Sequence, residues 1–242
     1  TTRSLSMTDA GATLYERAAA SLSELRDAEA AAAQQQVTPR GRLKVSLPVA
    51  FGHRVAAPPL FELAEEYPEI ELDLAFSDRF VDVVGEGFDL VIRIGTLADS
   101  SLIGRRIAST RLCVCASPEY LEAHERPIKP ADLSRHECLM YAQDTTKSAW
   151  HFAGGETVAI RGRIRSNSGD ALLTAALDGK GIAWLPDFYL RDDVAAGRLE
   201  TLLDEFEAEP LGIWALYAHR RHLSLKVRLA VDRLAEALEA CA

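Results

Sequence analysis

Arg40-Gly41-Arg42-Leu43-Lys44-Val45-Ser46-Leu47-Pro48-Val49-Ala50-Phe51-Gly52-His53-Arg54 decides the fold. Leu43, Val45 and Leu47 alternate with Lys44 and Ser46, the period-two pattern of a strand with one buried face. Pro48 has no N–H for a ladder and closes the strand. Pro48-Val49-Ala50-Phe51-Gly52 then reads as a loop feeding a helix that runs through Ala64. A loop leaving the carboxyl end of a strand and opening a helix is where α/β sheets hold ligands. The stretch predicts the first strand of a sensor domain, with Pro48, Val49, Ala50 and Phe51 as one wall of a small-molecule cleft.

Downstream, strands and helices alternate. Tyr67-Pro68 stops the helix, and Ile70, Leu72, Leu74 and Phe76 mark a second strand. Ser77-Asp78-Arg79 is a loop, and Val81–Glu86 reads as a short helix closed by Gly87. Leu90–Ile94 is apolar except for Arg93, which suits a buried strand. Leu102–Ile107 and Arg111–Ala116 are further strands. Ser117-Pro118-Glu119 opens a helix, with the proline at its first position. Cys138–Tyr141, Trp150–Ala153 and Thr157–Arg165 read as strands, with Gly154-Gly155 as a hairpin turn. Ser166–Asp170 leads into a helix over Ala171–Leu177. Ile182–Leu185 is a strand stopped by Pro186, Asp187–Ala196 a helix ended by Gly197, and Leu199–Leu203 and Ile213–Ala218 the last strands. A final helix after Ser224 carries the stripe Val227, Val231, Leu234 and Leu238. Such alternation is the signature of an α/β fold.

Upstream, Thr8 and Asp9 suit a helix start. Nothing but Gly11 interrupts the helix from Asp9 to about Gln36, about 42 Å of helix. Leu14, Ala18, Leu22 and Leu25 fall on one stripe. Alanine there lets two helices approach closely, so the stripe reads as a dimerising linker; a solvated spacer held by alanine propensity is the alternative. Val37–Gly41 forms a hinge.

The formal net charge is −9 with a pI near 5.2, which argues against a nucleic-acid surface within these residues. No apolar run reaches the ~18–20 residues of a membrane helix, and the amino end has no apolar signal-peptide core. A cytoplasmic protein is expected. Cys113, Cys115, Cys138 and Cys241 include no CxxC, and His136-x-Cys138 lacks a partner at zinc spacing. Reduced core thiols are expected, with no metal and no cofactor. Walker, G-x-S-x-G, dinucleotide and H-E-x-x-H motifs are missing. His219-Arg220-Arg221-His222 reads as a solvated interdomain loop before an anion site.

Thr1–Ala18 resembles the end of the winged helix-turn-helix domain of LysR-type transcriptional regulators. There the wing strand enters a linker helix through a Leu-Thr-x-x-Gly motif, which here reads Met7-Thr8-Asp9-Ala10-Gly11. Ser77–Gly95 is similar to the sensor domain of one branch of that family. The resemblance implies two Rossmann-like α/β subdomains of the type II periplasmic-binding-protein fold, joined by two crossing segments near Arg111 and His219. Residues 1–42 would be the end of the wing strand and the linker helix, 43–110 with 219–242 the first subdomain, and 111–218 the second. It also implies promoter DNA as a partner, through the amino-terminal domain missing from this sequence. A small metabolite, an organic acid or aromatic compound, would bind between the subdomains, and the protein would form a homodimer or homotetramer. Not an enzyme is the expectation. A stand-alone solute-binding protein, an enzyme on this fold and a peroxide-sensing family member with a reactive cysteine pair are the other readings.

Three loops are the candidate effector contacts: Pro48–Phe51, Ser77-Asp78 and Asn167-Ser168-Gly169-Asp170. The amino end of a helix offers N–H groups to an anion, although Asp170 can instead cap its own helix. Arg93, a charge in an apolar strand, needs a partner. That partner is either Asp78 or Asp89 in an internal salt bridge, or an effector carboxylate. Phe51, Trp184, Pro186 and Phe188 suit the core; Phe51 and Phe188, beside Pro186, also suit the wall of an apolar pocket.

Overall fold

A computed structural model of the chain describes residues 8, 10–11, 14–15, 18, 21–22, 38–79, 82–83, 85–95, 102–141, 149–218 and 223–240. The described elements, in order, begin with β1 (Gly41–Leu47) and helix α1. That helix starts at Val49–Phe51, widens into a π-turn at Gly52–Ala56 and continues over Ala57–Glu66. Strands β2 (Ile70–Phe76), β3 (Leu90–Ile94), β4 (Leu102–Thr110) and β5 (Leu112–Ala116) follow, then helix α2 (Pro118–Ala123). Next come β6 (Cys138–Tyr141), β7 (Ala149–His151), β8 (Thr157–Ala159), β9 (Arg165–Ser166) and α3 (Gly169–Leu177). β10 (Ile182–Pro186), α4 (Arg191–Ala195), β11 (Glu200–Leu202), β12 (Leu211–Ala218) and α5 (Leu225–Ala240) complete the chain. They fall into two units, residues 1–108 with 213–242, and residues 109–212.

The first unit holds a five-stranded sheet in the order β2-β1-β3-β12-β4. β1 runs parallel to β2 from Gly41↔Ile70 to Leu47↔Phe76, and parallel to β3 at Val45↔Leu90, while β12 returns antiparallel on β3. Leu43, Val45 and Leu47 are buried, as their alternation predicts. Ser46 departs from that alternation and is also fully buried, its hydroxyl accepting an N–H of the Arg93 guanidinium. Helix α1 buries Phe51, Leu60 and Leu63 and packs against α5. Val227, Val231 and Leu234 are the buried stripe of α5, and Arg233 ties it to Glu62 and Glu66 of α1.

Two expectations are corrected in this unit. The predicted loop Pro48–Gly52 is already helical from Val49. Pro48, at φ −59° and ψ 140°, serves as the N-cap. Downstream, Pro58 and Pro59 remove the two N–H groups that would reach back four residues, and the Ala57 N–H bonds Gly52 O instead. The helix is widened there into a π-turn. The predicted helix Val81–Glu86 is a turn where described: the Asp82 carboxylate accepts the Gly85 N–H, and Asp82 O the Glu86 N–H. A short carboxylate bonded to nearby backbone competes with helix.

The second unit holds a sheet in the order β11-β5-β10-β6-β9, with β10, β6 and β9 parallel and β5 antiparallel to its neighbours. Its core gathers Val114, Tyr120, Leu133, Met140, Trp150, Phe152 and Ile182, with Trp184 packed against it. The hairpin β7–β8 turns through Gly154-Gly155 as expected. The single strand expected over Thr157–Arg165 is instead two, β8 and β9. The break lies where Arg161 O accepts the Cys138 N–H and a Cβ on Gly162 would meet Cys138 O at 1.9 Å. β4 also runs further than predicted, to Thr110.

Residues 10–11, 14–15, 18 and 21–22 are helical, with Leu14, Ala18 and Leu22 exposed. Leu25, residues 1–7 and His219–His222 lie outside the described residues. No helix among the described residues is long and apolar enough to cross a membrane.

Candidate effector site

The parallel strands of the first unit end together at Leu47, Phe76 and Ile94, and the residues just beyond build a polar edge. Pro48 starts α1 and brings no N–H of its own. The first helical N–H, on Val49, is accepted across the loop by Asp78 Oδ1 at 3.0 Å. The Ser77 N–H bonds Leu47 O at 2.9 Å, and Ser77 Oγ accepts the Arg79 N–H. Asp78 thus caps α1 from the neighbouring strand, and Ser77 holds that loop in register. Val49 is half-buried, whereas Ala50 and Phe51 turn into the core.

Arg93 leaves β3 near this edge and lies half-buried. Its Nη1 donates to Ile92 O at 2.7 Å, and its Nη2 donates to Arg79 O at 3.0 Å and to Ser46 Oγ at 3.2 Å. The expected internal salt bridge to Asp78 or Asp89 does not form. Asp78 caps α1, and Asp89 accepts the Lys44 N–H and stands 3.9 Å from the Lys226 ammonium. Among the described residues Arg93 has no carboxylate within ion-pair distance. Burial lowers its pKa, partly opposed by the fields of Asp78 and Glu86. A guanidinium keeps its charge at any physiological pH. Two of its five N–H groups have no partner among the described residues and remain for a ligand.

Two contributors to this edge gave little sign in the sequence. Ser46 looks like a solvent-face residue but supplies a buried hydroxyl to Arg93. His53, in the π-turn, stacks on Phe76 with ring centroids 4.1 Å apart and planes 4° apart. Only the π-turn, invisible to helical periodicity, puts it there.

In the second unit, β9 and β10 end at Ser166 and Pro186. Ser166 Oγ accepts the Ser168 N–H at 3.0 Å, and Ser168 Oγ accepts the Ala171 N–H at 3.3 Å, so Ser168 caps α3. This corrects the expectation that Asp170 caps its own helix; Asp170 sits in the first turn. Asn167 is exposed and Asp170 half-buried. Pro186 begins a short 3-10 turn in which Phe188 stacks on Tyr189 at 4.8 Å. Trp184 faces the core and donates its indole N–H to Leu112 O.

The free thiols of Cys113, Cys115 and Cys138 are all buried. Burial, the largest cause in each case, pushes all three up to about 12. Cys241 lies outside the described residues. Among the described residues no group of His, Cys, Asp and Glu is arranged to hold a metal ion.

The LysR substrate binding domain model matches residues 36–239. An uncharacterized HTH-type transcriptional regulator of Haemophilus influenzae is 36% identical over 230 residues, covering 94% of this chain and 80% of its own. The HTH-type transcriptional regulator DmlR of Escherichia coli is 34% identical over 238 residues, covering 97% and 77%. The solved structure of CrgA, a LysR-type transcriptional regulator from Neisseria meningitidis, aligns at TM-score 0.75 and 32% identity over 98% of this chain and 82% of its own. Matched over residues 36–239 by this family model and along nearly its whole length by relatives above 30% identity, the chain belongs to the LysR-type transcriptional regulators and carries their substrate-binding domain.

Proposed function

We propose that the effector of this regulator is a small organic acid whose carboxylate is held by Arg93. The observation that supports this reading is the guanidinium at the carboxyl edge of the first sheet. Its own bonds go to two carbonyls and a serine hydroxyl, and among the described residues no carboxylate stands within ion-pair distance, Asp78 and Glu86 acting on it only at longer range. A half-buried cation without a counter-charge favours an anionic ligand. Ser77, Asp78, Pro48 and Val49, at the same edge of the sheet, are further proposed contacts. In the second unit, Asn167, Ser168 and Asp170 at the start of α3, with Pro186 and Phe188, are further proposed effector contacts.

Effector binding changes promoter contacts by favouring one arrangement of the regulator. Such coupling takes about 1–3 kcal/mol of differential affinity. The regulator works as a homodimer or homotetramer in the cytoplasm, where its promoter is. Leu14 and Leu22, both helical and 70% and 57% exposed, support pairing of linker helices through a stripe that also takes Ala18 and Leu25.

The test is thermal denaturation with a panel of small mono- and dicarboxylates, each paired with its amide. A ligand at a hundredfold excess over its Kd adds about 2.7 kcal/mol, a rise of roughly 5–10 °C for a chain of this size. At least one acid is expected to stabilise the wild type while its amide does not, and Arg93→Gln is expected to lose the effect. The assignment is refuted if every acid that stabilises the wild type stabilises Arg93→Gln as well.

A further inference from the structure

The second unit also contains a cavity that none of the effector contacts touches. Its volume is about 300 Å³, at the lower end for small-molecule sites. Its wall includes Tyr120, His124, Glu137, Leu139, Arg163, Ile164, Gly179 and Lys180. Glu137, Arg163-Ile164 and Lys180 stand just before β6, β9 and β10, which run parallel. The cavity therefore opens at the amino ends of these strands. Ser166, Asn167, Pro186 and Phe188 lie at their carboxyl ends, across the length of the sheet.

The wall is built rather than incidental. The Tyr120 hydroxyl accepts the Glu137 N–H at 3.2 Å and faces His136 Nδ1 at 3.2 Å. The His124 ring stacks on Tyr120 at 4.1 Å and its Nδ1 lies 2.9 Å from Tyr120 O. Leu139, Ile164 and the Tyr120 ring make an apolar floor. Of the charges at the rim, Glu137 is already engaged: its carboxylate accepts the Arg163 N–H and lies 3.6 Å from the Arg163 guanidinium. The Lys180 ammonium has no hydrogen bond or ion pair among the described residues. Two features oppose an anion there. One is Glu119, whose carboxylate lies beside Gly179. The other is the carboxyl end of α3, whose last carbonyls are already bonded by the N–H groups of Asp178, Gly179 and Lys180.

We infer that this cavity is a second small-molecule site, for a monocarboxylate with a compact apolar body. The body lies on Leu139, Ile164 and Tyr120, and the carboxylate meets Lys180 at the rim. The site does not depend on Arg93 or on the effector reading. Helix α3 links the two ends of this unit, since Ser168 caps its start and Gly179-Lys180 follows its end.

The experiment is calorimetric titration of the intact protein with benzoate, using benzamide and benzylamine as charge controls, while the histidine ring resonances are followed by NMR. It is run in an Arg93→Gln background, so that a carboxylate bound at the first-unit edge contributes nothing. Benzoate is expected to bind and to shift the His124 ring signals. Lys180→Gln is expected to weaken binding about tenfold, and Ile164→Trp, which fills the floor, to abolish it. The inference is overturned if benzoate gives no heat and no His124 shift at millimolar concentration. It is equally overturned if benzylamine binds better than benzoate, or if neither substitution alters the titration.

Discussion

Gly52 sits where β1, the π-turn and the effector edge meet, and replacing it with alanine tests that arrangement. A Cβ there would stand 2.7 Å from Phe76 Cε1, 2.8 Å from Phe76 Cδ1 and 2.8 Å from Leu47 Cβ. Leu47 and Phe76 are register partners in adjacent strands, so the backbone yields little. The Phe76 ring must move, and with it the stacked His53. Inserting a methyl into a packed site costs about 1–3 kcal/mol. Three contacts under 3.0 Å put this site at the upper end, about 2–3 kcal/mol; alanine returns up to about 1 kcal/mol by its helix propensity, so the clash wins by about 1–2 kcal/mol. For a chain of this length that lowers the unfolding midpoint by roughly 2–8 °C. Urea and thermal unfolding followed by circular dichroism provide the measurement. A double-mutant cycle with Phe76→Ala localises the cost. The two changes should couple by at least about 0.5 kcal/mol, because removing the ring removes most of the clash. A Gly52→Ala variant as stable as the wild type, or a cycle without coupling, refutes the geometry of the π-turn.

Ser168→Ala removes the cap of α3 and is expected to destabilise the protein by about 1 kcal/mol, read as a lower urea midpoint; Asp170→Asn should do much less, and the reverse order contradicts the cap assignment. In the folded protein at pH 8, a thiol reagent should leave Cys113, Cys115 and Cys138 unmodified, because burial holds their thiols near 12; rapid labelling of two or more of the four cysteines before denaturant is added would revive the peroxide-sensing alternative. His136 is buried beside Tyr120, and desolvation, then the charge of His124, lowers its pKa below the ordinary 6.5. The unfolded chain therefore binds more protons than the folded one just below pH 6.5. The stability this group contributes is complete above that value and is lost as pH falls through the lower folded value. Unfolding free energies from pH 7.5 to 5 should drop more steeply for the wild type than for His136→Gln, and equal slopes contradict it.

Much of the fold was legible in local pattern. The β1 alternation, the Tyr67-Pro68 stop, the Ser117-Pro118 opening and the α5 stripe each depend on neighbours in sequence, and each stands where the pattern put it. What was hidden depended on tertiary neighbours. Ser46 is buried where the Arg93 side chain of β3 bonds its hydroxyl, not because of its own type. The π-turn arises from the pairing of Pro58-Pro59 with a helix that starts four residues earlier than it reads. The break between β8 and β9 arises because Gly162 lies against Cys138 O. At the edge of the first sheet, the charge of Arg93 in an apolar strand marked it as important, but its partners were misread. Asp89, earlier in the same segment, and Asp78, in the loop after β2, were the expected acids, yet Lys44 with Lys226 and a helix start occupy them. The cavity beside Tyr120 draws on four separated segments, and no motif joins them.

The account turns on Arg93 as the group through which an acid controls promoter contacts. Its most direct test is footprinting of the target promoter by the native regulator, with and without an acid that stabilises the wild type, against the same regulator carrying Arg93→Gln. The wild type is expected to change its protected region when the acid is added. The Arg93→Gln protein is expected to protect the promoter as the acid-free wild type does and to show no change with acid. If Arg93→Gln responds to the acid as the wild type does, the assignment of the effector carboxylate to Arg93 is wrong.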